Sequence, residues 1–364
     1  MEIKTLNLIQ FRNYEKQTFH FHPLVNIIIG DNAQGKTNIL EAIYLLSTTR
    51  SFKSRMLDEM IMFDQSYTRV SGHVVNGTRP YDLKVVVSKE GKKAFINDKA
   101  VSKTSDYLGY FNVILFTPQD LQLIKGSPKM RRTLIDTEIS KISPIYMFNL
   151  NKYNKLMKER NKYLKMLHDG HKEPDMYLEV LSEEMAELEE DLIQRRMKLI
   201  ELLNEISGQM YAYISGKEKL VLRYHTQFKD ISKEGILDKY KKNYKRDIFQ
   251  GTTVDGVHKD DLKIFLDEND AGMFASQGQQ RSIILSMKIA LVEIVKMQIG
   301  EYPVLLLDDV LSELDEERKM KLLNLIDHKV QTFITTTHFD LGYHHSLDDA
   351  LVLRIEKGTL KEDK

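Results

Sequence analysis

Cysteine is absent from the 364 residues of this chain. Without thiols the protein forms no disulfide, holds no thiolate zinc site and has no cysteine nucleophile. The absence also suits a reducing compartment. Any chemistry that the protein performs must therefore use other side chains.

The chain also lacks a net charge and a long apolar run. Its 53 basic residues balance its 53 acidic residues, which argues against a broad nucleic-acid-binding surface but not against a local basic patch. No apolar run approaches the roughly 20 residues that cross a bilayer. The first residues show no cationic segment followed by an apolar core, so we expect no signal peptide. We expect a cytosolic protein with two domains, or with one large domain that carries an insertion.

The most informative motif is the segment Gly30–Thr37, which fits the pattern G-x-x-x-x-G-K-[ST] and which we call the phosphate loop. Before it, Val25–Ile29 is apolar and β-branched, which is typical of a buried parallel strand. After it, apolar residues recur at helical spacing. A glycine-framed turn between a strand and a helix directs backbone N–H groups at phosphate oxygens. In such a turn Lys36 reaches the β- and γ-phosphates and Thr37 ligates Mg²⁺.

A second segment, near the other end of the chain, supplies carboxylates. Val304–Leu307 is typical of a buried strand, and Asp308 and Asp309 follow it. An acidic first turn of a helix would look the same. Beside a phosphate loop, however, Asp308 fits the residue that holds Mg²⁺, and Asp309 fits a carboxylate that accepts a proton from an attacking water. Because Lys36 lies near the opposite end of the chain, a large insertion must separate two halves of one nucleotide domain.

Two further segments fit the same kind of site. The segment Ser276–Gln279, which we call the S-x-G-Q segment, precedes a helical pattern. Ser276 can cap that helix and Gly278 lets the backbone approach a ligand closely, although simple capping would also explain the polar residues. Downstream, a buried strand is predicted to end at Thr337 and His338. In this series of motifs we interpret His338 as a sensor of the γ-phosphate.

The order of these motifs is similar to that of ABC-type ATPases, and more narrowly the chain resembles the RecF family, the bacterial DNA replication and repair ATPases of the SMC-like class. Matching segments run nearly end to end: "LIQFRNY" at 8–14, "GDNAQGKTNILEAI" at 30–43, "RSFK" at 50–53, "FTPQDLQLIKGSPKMRR" at 116–132, "GVHKDD" at 256–261, "SQGQQR" at 276–281 and "LLLDDVLSELD" at 305–315.

The chain departs from the family pattern at three points. The signature reads S-Q-G-Q where transporters have S-G-G-Q. Asp309 is shorter than the glutamate usual in the wider superfamily, which suggests slow hydrolysis. Val257 and Lys259 stand where proline and arginine are expected.

The resemblance implies an α/β fold in which an ABC-type P-loop ATPase head, a mixed sheet with helices, is formed by residues 1–117 and 256–364. An inserted, mainly helical lobe would occupy residues 118–255. Two apolar stripes separated by a turn signal predict an antiparallel helical hairpin at about 145–207 in this lobe. A plain bundle within the core is the alternative.

The resemblance also implies that ATP and Mg²⁺ bind between two copies of the chain, the phosphate loop of one copy facing the S-x-G-Q segment of the other. The catalytic residues would be Lys36, Asp309, His338 and Gln119, with Asp120 as a rival of Gln119. The Mg²⁺ ligands would be Thr37, Asp308 and Gln119. The nucleotide contacts would be Gly30, Asp31, Asn32, Ala33, Gln34, Gly35, Lys36, Thr37, Asn38, Arg12, Asn13, Ser276, Gly278, Gln279 and Asp315, with Ser312 at the same interface.

Basic segments are candidate DNA contacts, although most such runs are simply solvated faces. No base-reading module is visible, so we expect recognition of DNA backbone and shape. The candidates are Lys239–Arg246 with the interleaved Tyr240 and Tyr244, the segment Arg50–Arg55, the group Lys125, Lys129, Arg131 and Arg132, and the group Lys152, Lys155, Lys158 and Lys162.

The function that follows is a RecF-like, ATP-dependent DNA clamp with slow ATP hydrolysis. It would dimerise on ATP, bind gaps or single–double-strand junctions, and help RecO and RecR load the recombinase in gap repair; those partners follow from the resemblance only. The alternative is an interaction scaffold that nucleotide stabilises, with incidental hydrolysis. A transporter subunit is disfavoured because no membrane span is predicted, and a nuclease because no further metal-binding cluster is visible.

Overall fold

The computed structural model describes residues 1–54, 56–171, 176–216, 218–326, 329–337 and 349–361. The chain packs as two compact units. The first unit comprises Met1–Leu121, Gln209–Lys217 and Gln277–Lys364, and the second comprises Gln122–Gly208 and Glu218–Ser276. Both ends of the chain therefore contribute to the first unit.

The first unit contains an antiparallel sheet of six strands. Buried and exposed side chains alternate along its central strands, as they do in a sheet that packs one face on the core. In order across the sheet the strands are β2 (Tyr14–His20), β1 (Glu2–Phe11), β4 (Tyr67–Asn76), β5 (Arg79–Ser88), β6 (Gly91–Ile96) and β7 (Lys99–Val101).

A second six-stranded sheet of this unit is parallel except at one edge. In order its strands are β15 (Thr359–Lys361), β14 (Leu351–Glu356), β3 (Val25–Ile29), β13 (Thr332–Thr336), β12 (Val304–Asp308) and β8 (Val113–Phe116). Only β15 runs antiparallel to its neighbour. Every residue of β12 and β13 is buried, which explains their unbroken apolar runs. The carboxyl ends of β3, β13, β12 and β8 meet at one edge, the usual place for a ligand in such sheets.

The helices of the first unit are α1 (Lys36–Thr48), α8 (Gln277–Ile299) and α9 (Glu316–Ile326), and short 3₁₀ turns lie at Asp58–Met60, Thr104–Asp106, Pro118–Leu121 and Leu311–Glu313. Helix α1 contacts strands of both sheets and buries most of its residues. One apolar core therefore joins the two sheets through this helix. The predicted fold class is confirmed.

The second unit is mainly helical and has one small sheet. Its helices are α2 (Gln122–Lys125), α3 (Pro128–Ile142), α4 (Pro144–His168), α5 (Tyr177–Ile214), α6 (Lys233–Gln250) and α7 (Ala271–Phe274), and its sheet orders β11 (Asn269–Asp270), β10 (Asp261–Leu266) and β9 (Leu220–His225). The last turns of α5 cluster with the first unit. Among the described residues, no helix combines the length and apolarity needed to cross a membrane.

The two helices predicted at 145–207 correspond to α4 and α5. Within the second unit, α4 contacts both α3 and α6. Arg160 of α4 forms a buried ion pair of 2.8 Å with Asp247 of α6 and donates to Thr253 Oγ1 at 2.7 Å. Asn149 Nδ2 of α4 donates to Asp191 Oδ2 of α5 at 2.8 Å, and Arg160 Nε donates to Ser182 Oγ of α5 at 3.1 Å. The two helices therefore lie antiparallel, as the predicted hairpin requires, and α3 and α6 pack against α4.

The packing differs from the predicted division near residue 256. Residues 256–276, which the sequence placed with the ATPase lobe, cluster with the second unit. The physical reason is strand β10, which pairs along its whole length with β9. Arg131 of α3 adds a two-bond ion pair with Asp261, at 2.7 and 2.9 Å.

A polar network lies inside the second unit. Glu189 is fully buried and accepts hydrogen bonds from Tyr240 Oη at 2.7 Å and from the backbone N–H of Val257 at 3.0 Å. Burial raises the pKa of Glu189 to about 7, while these hydrogen bonds oppose the shift. Burial also lowers the pKa of His258, which contacts Tyr153 Oη through Nδ1, to about 4.

We predict a pH-dependent stability difference for Glu189→Gln. Between its usual pKa of 4.5 and about 7, folded Glu189 holds a proton that the unfolded chain has released, so stability falls as pH rises through this window. The substitution removes that titration. Between about pH 5 and pH 8, the free energy of unfolding of the variant should rise relative to that of the wild type by up to about 3 kcal/mol.

Thermal unfolding measured at several pH values checks this prediction. The substitution also changes the hydrogen bonds at this position. That effect lowers the Tm of the variant by the same amount at every pH, so it does not alter how the Tm difference from the wild type depends on pH. Glu201→Gln, at an exposed position on the same helix, is the control for the loss of a carboxylate from α5. A Tm difference between Glu189→Gln and wild type that is constant with pH would contradict the assignment.

Candidate functional site

A pocket of about 210 Å³ lies at the carboxyl edge of the parallel sheet in the first unit. It combines residues that follow β3, residues at the end of β12 and one residue of β13. Its lining consists of Asp31, Asn32, Ala33, Gly35, Lys36, Thr37, Asn38, Lys53, Asp308, Asp309 and Thr335. Most of the phosphate loop and both acidic residues therefore share one cavity.

A pair of hydrogen bonds joins the two remote segments. Thr37 Oγ1 donates to Asp308 Oδ1 at 2.8 Å, across 271 residues of sequence. Thr335 Oγ1 donates to the same oxygen at 2.9 Å. The strand order β3-β13-β12 produces this meeting, because Asp308 and Thr335 lie at or next to the carboxyl ends of β12 and β13, and the loop that leads to Thr37 leaves the carboxyl end of β3.

The charged side chains of Asp308 and Lys36 in the pocket are partly desolvated. Burial raises the pKa of Asp308, and the hydrogen bonds from Thr37 and Thr335 oppose that shift. Burial lowers the pKa of Lys36, against the attraction of Asp309, Asp308 and Asp31. Lys36 Nζ donates to the backbone carbonyls of Gly30 and Asp31, the latter at 3.0 Å. A cation beside Asp308 and an anion beside Lys36 would both be favoured.

The phosphate loop is held from behind by the turn between β1 and β2. Asn13 Nδ2 donates to the carbonyl of Gln34 at 2.9 Å, and Tyr14 Oη donates to the carbonyl of Gly35 at 3.1 Å. Gly35 has φ +117°, and a Cβ there would lie 2.7 Å from Asn13 Nδ2. Asn38 Nδ2 donates to Asn13 Oδ1 at 2.8 Å. Only glycine fits at position 35, because both the backbone angle and the neighbours exclude a side chain.

The turn between β14 and β15 holds the same loop from another side. The N–H of Gly358 donates to the carbonyl of Gln34 at 3.0 Å, and the N–H of Lys357 donates to Gln34 Oε1 at 2.6 Å. Gly358 has φ +74°, and a Cβ there would lie 2.2 Å from the carbonyl oxygen of Asn13. Two separate chain segments therefore fix the loop backbone.

Arg12 and Asn13 were predicted to contact the nucleotide. Asn13 holds the loop backbone, and neither residue is among those that line the pocket. The guanidinium of Arg12 forms a two-bond ion pair with Glu41, at 2.6 and 2.9 Å, and Glu41 is fully buried. The structure thus gives Asn13 a supporting contact to the loop, and it gives Arg12 an ion pair with helix α1.

Asp309 lines the pocket in a left-handed backbone conformation, with φ 53°. Its N–H donates to Thr335 Oγ1 at 2.9 Å, and its carbonyl accepts from Ser312 Oγ at 2.7 Å. Aspartate tolerates this conformation better than most residues, and strained backbone is common at functional sites. A strained backbone at Asp309 is therefore consistent with a role that requires a fixed carboxylate position.

Gln119 and Asp120 follow β8, the strand next to β12. The carboxylate of Asp120 accepts the N–H of Thr117 at 2.8 Å and pairs with Lys288 at 2.9 Å. Gln119 is exposed. Because Asp120 is committed to these contacts, Gln119 is the better candidate of the two for sensing a bound nucleotide.

The remaining predicted residues lie elsewhere. Ser276 is exposed, and an added Cβ at Gly278 would meet no atom within 4 Å. Among the described residues, neither these two nor Gln279 line the pocket of their own chain. Asp315 Oδ1 accepts the N–H of Arg318 at 2.9 Å and caps α9. His338 lies outside the described residues.

Lys53 lines the pocket, although the sequence analysis predicted it only as part of a basic segment that contacts DNA. Its Nζ donates to Asn38 Oδ1 at 2.8 Å. Burial lowers its pKa, while Glu41 and Asp308 oppose the shift. The signal was present in the "RSFK" segment, which we interpreted as a basic patch for DNA.

Two features of the predicted DNA patches are wrong. Tyr240 was expected to stack on bases, but it is buried and hydrogen-bonded to Glu189. Arg131 was expected to face phosphates, but it is buried in its ion pair with Asp261. Among the described residues, the basic side chains that are exposed on these segments are Arg50, Lys53, Lys125, Lys129, Lys152, Lys155, Lys158, Lys162, Lys241, Lys242, Lys245 and Arg246.

The mixed sheet, the glycine-framed loop after β3 and the paired acids at the end of β12, two strands away, define an ABC-type ATPase head. The family model of the RecF/RecN/SMC N terminal domain matches residues 2–355. The chain is 41% identical to the DNA replication and repair protein RecF of Halalkalibacterium halodurans and 42% identical to that of Lactobacillus acidophilus, over 100% of each chain. The chain belongs to the RecF family.

Solved structures agree with this assignment. A recombination mediator protein RecF with ATP, described in the RecFOR pathway, is 33% identical, with a TM-score of 0.90, over 99% of this chain and 96% of the other. An Smc head domain with an extended coiled coil, from Pyrococcus furiosus, is 18% identical, with a TM-score of 0.58 over 99% of this chain and 95% of the other. The second likeness concerns the fold alone.

The oxygen atoms of the pocket fit Mg²⁺. Within the described ranges no cluster of three or more His, Cys, Asp or Glu side chains is placed to hold a metal ion. Mg²⁺ in nucleotide sites, however, takes one or two carboxylates and completes its shell with phosphates and water. The Thr37 hydroxyl and the Asp308 carboxylate lie side by side and supply such a partial set.

We predict that Gly358→Ala destabilises the first unit and loosens the phosphate loop. The added Cβ would collide with the Asn13 carbonyl and displace the turn that holds Gln34. Gly300→Ala is the matched control, because Gly300 lies in the same unit with φ +88°, and an added Cβ there would meet no atom within 4 Å. Both variants carry the cost of a left-handed backbone, so the collision appears as the difference between them.

Scanning calorimetry and amide hydrogen exchange check this prediction. The Tm of Gly358→Ala should lie about 5 °C or more below that of Gly300→Ala. Exchange at residues 30–38 should accelerate only in Gly358→Ala. Equal Tm values with unchanged exchange in the loop would show that this turn does not support it.

Proposed function

We propose that this protein binds ATP with Mg²⁺ in the pocket of its first unit, hydrolyses it slowly, and uses it to join two copies of the chain on DNA. The observation that carries the proposal is the Thr37–Asp308 hydrogen bond, which puts the phosphate loop and the acids in one cavity. The name and the bound ATP of the related RecF structure support it.

The residues of the pocket divide the work of phosphoryl transfer. Lys36 neutralises the β- and γ-phosphates, and the backbone N–H groups of the loop bind their oxygens. Thr37 and Asp308 would hold Mg²⁺, which would supply a further positive charge beside the phosphates. Asp309 accepts a proton from water as that water forms a bond to the γ-phosphorus and the bond to ADP breaks. An aspartate reaches less far than a glutamate, which favours slow hydrolysis.

The pocket needs a second chain to become closed. Lys36 and Asp308 surround the phosphates from one side only, whereas Ser276 and Gly278 lie outside the pocket of their own chain, exposed or facing open space. In the proposed dimer the S-x-G-Q segment of each copy grips the γ-phosphate bound by the other. Two ATP molecules are then shared by one two-fold interface. Loss of the γ-phosphate removes these contacts and opens the dimer.

Family membership supports a proposal for the DNA substrate and the protein partners. We propose binding at gaps or single–double-strand junctions through backbone and shape, and cooperation with RecR and RecO in loading a recombinase. The exposed lysines of α4 and the basic residues of α6 are candidate contacts, because their charges face solvent. A nucleotide-stabilised scaffold with incidental hydrolysis is the rival.

We predict opposite effects of two pocket substitutions on dimerisation. Lys36→Ala should weaken ATP binding by about 10- to 100-fold, because it removes charge-assisted hydrogen bonds to phosphate, and should leave the protein monomeric. The Asp309→Asn protein should bind ATP and remain dimeric. Without a proton acceptor it hydrolyses ATP too slowly to open the dimer. Lys16→Ala, at an exposed position of β2, is the control.

Light scattering with ATP, ADP and no nucleotide measures the dimer, and phosphate release measures turnover. Wild type should be dimeric only with ATP. A protein that stays monomeric with ATP bound at every concentration would refute the mechanism. Rapid turnover by Asp309→Asn would remove Asp309 as the proton acceptor.

We predict that DNA affinity depends on both nucleotide and salt. Binding of a gapped duplex should be tighter with ATP than with ADP, because the dimer presents two basic surfaces. The logarithm of the affinity should fall with the logarithm of salt concentration by about 0.9 for each phosphate contacted. Equal affinity in both nucleotide states would favour the scaffold over the clamp, and a flat salt dependence would exclude the basic patches as contacts.

A further inference from the structure

Helix α8 carries a buried lysine that the nucleotide pocket does not use. Lys288 is 6% exposed. Its Nζ donates to the carbonyl of Leu115 at 2.7 Å and pairs with Asp120 Oδ1 at 2.9 Å. Both partners belong to the end of β8 and the turn after it. One ammonium group therefore fastens α8 to this turn.

The same carboxylate shapes the turn. Asp120 Oδ2 accepts the backbone N–H of Thr117 at 2.8 Å and contacts its hydroxyl at 3.3 Å. The chain between them is the 3₁₀ turn that begins at Pro118. Asp120 thus closes the turn with one oxygen and binds α8 with the other. Gln119, between Pro118 and Asp120, is carried by this closed turn and is exposed.

The turn lies beside the acids of the pocket. Strands β8 and β12 are parallel neighbours, and Phe116 pairs with Leu307. The next residues along the two strands are Thr117 and Asp308, so the turn leaves the sheet at the same edge as the acids. Adjacent strands are about 4.8 Å apart. A side chain in this turn is therefore within reach of a nucleotide held by Asp308.

Helix α8 also begins at the S-x-G-Q segment. Its first residue is Gln277, and Lys288 lies eleven residues later, about 16 Å along the helix. Near its start, Arg281 Nη1 donates to the carbonyl of Glu313 at 2.9 Å, in the turn after Asp309. One rigid helix therefore contacts the turns that follow both β8 and β12.

We propose that Lys288 is a positioning residue that holds the Gln119 turn at a fixed place on the helix that begins with the S-x-G-Q segment. The proposal rests on the proposed function, in which that segment meets the ATP of the other copy. When the S-x-G-Q segment of one copy contacts the ATP bound by its partner, helix α8 of that copy would be fixed in place. Through Lys288, the helix would then also fix Gln119 beside the ATP that the first copy binds itself. Lys288 acts through Gln119 and touches neither nucleotide nor metal.

A purely stabilising role explains the geometry less well. A buried ion pair is often no more stable than an apolar pair of similar volume. The pair instead fixes the orientation of the turn. Lys288 binds both the Leu115 carbonyl and Asp120, and Asp120 in turn accepts the Thr117 N–H that closes the turn. Lys288→Met combined with Asp120→Asn therefore removes the tether with little change in volume and leaves no unpaired charge.

The first test uses the nucleotide-free protein. In the double variant, amide hydrogen exchange at residues 116–121 should accelerate about tenfold or more, while the phosphate loop exchanges as in wild type. Lys296→Met is the matched control, because Lys296 lies on the same helix but donates to Gly300 at its far end. Unchanged exchange at 116–121 would overturn the proposal, whatever the protein binds.

The second test separates positioning from general loss of structure. Lys288→Met should lower kcat for ATP about tenfold while KM changes by less than about twofold. Gln119→Ala should cause a similar loss, and combining the two substitutions should cause no further loss. Losses that multiply would show that Lys288 does not act through Gln119.

The outcomes distinguish this proposal from the one on which it rests. If wild type binds no ATP, the proposed function fails, and the exchange experiment still decides whether Lys288 fixes the turn. If wild type hydrolyses ATP and Lys288→Met does so equally, only the positioning role fails. Should Lys288→Met not fold, Asp120→Asn breaks the same pair with a side chain of nearly the same size and is read in both tests.

Discussion

The site depends on the parallel register of three neighbouring strands, expressed in one hydrogen bond between Thr37 and Asp308. Strand β13 lies between β3 and β12, and Thr335 donates to the same carboxylate oxygen from that middle strand. A shift of register in any of the three would separate the phosphate loop from the acid. Because both ends of the chain supply strands, the pocket exists only when the whole first unit is folded.

The loop is shaped before any ligand arrives. Asn13, Tyr14 and the turn at Gly358 hold its backbone by direct hydrogen bonds, and Arg12 neutralises the buried Glu41 of helix α1. Burial meanwhile disfavours the charged forms of Lys36 and Asp308. Phosphate and a hard cation would relieve both costs, so a fixed backbone and partly dehydrated charges favour a magnesium nucleotide.

The sequence predicted those parts of the molecule that rest on local patterns. The phosphate loop, the buried strand before Asp308 and the α/β class followed from glycine placement, apolar runs and the family resemblance. It could not predict contacts set by tertiary packing: that Lys53 reaches the pocket, that Arg12 serves Glu41, or that Tyr240 is buried. Residues 256–276 pack with the second unit because β10 pairs with β9, and such pairing leaves no signal in either strand alone.

The central claim is that a second copy of the chain completes the pocket, and cross-linking tests it most directly. The chain has no cysteine of its own, so a short bismaleimide can react only with cysteines that are introduced. Asn32→Cys is placed in one copy and Gln277→Cys, at an exposed position beside Gly278, in another, and the two proteins are mixed. The account predicts a mixed covalent dimer with ATP and Mg²⁺ that is absent with ADP. Efficient ATP binding without this cross-link, or the same cross-link in every nucleotide state, would contradict it.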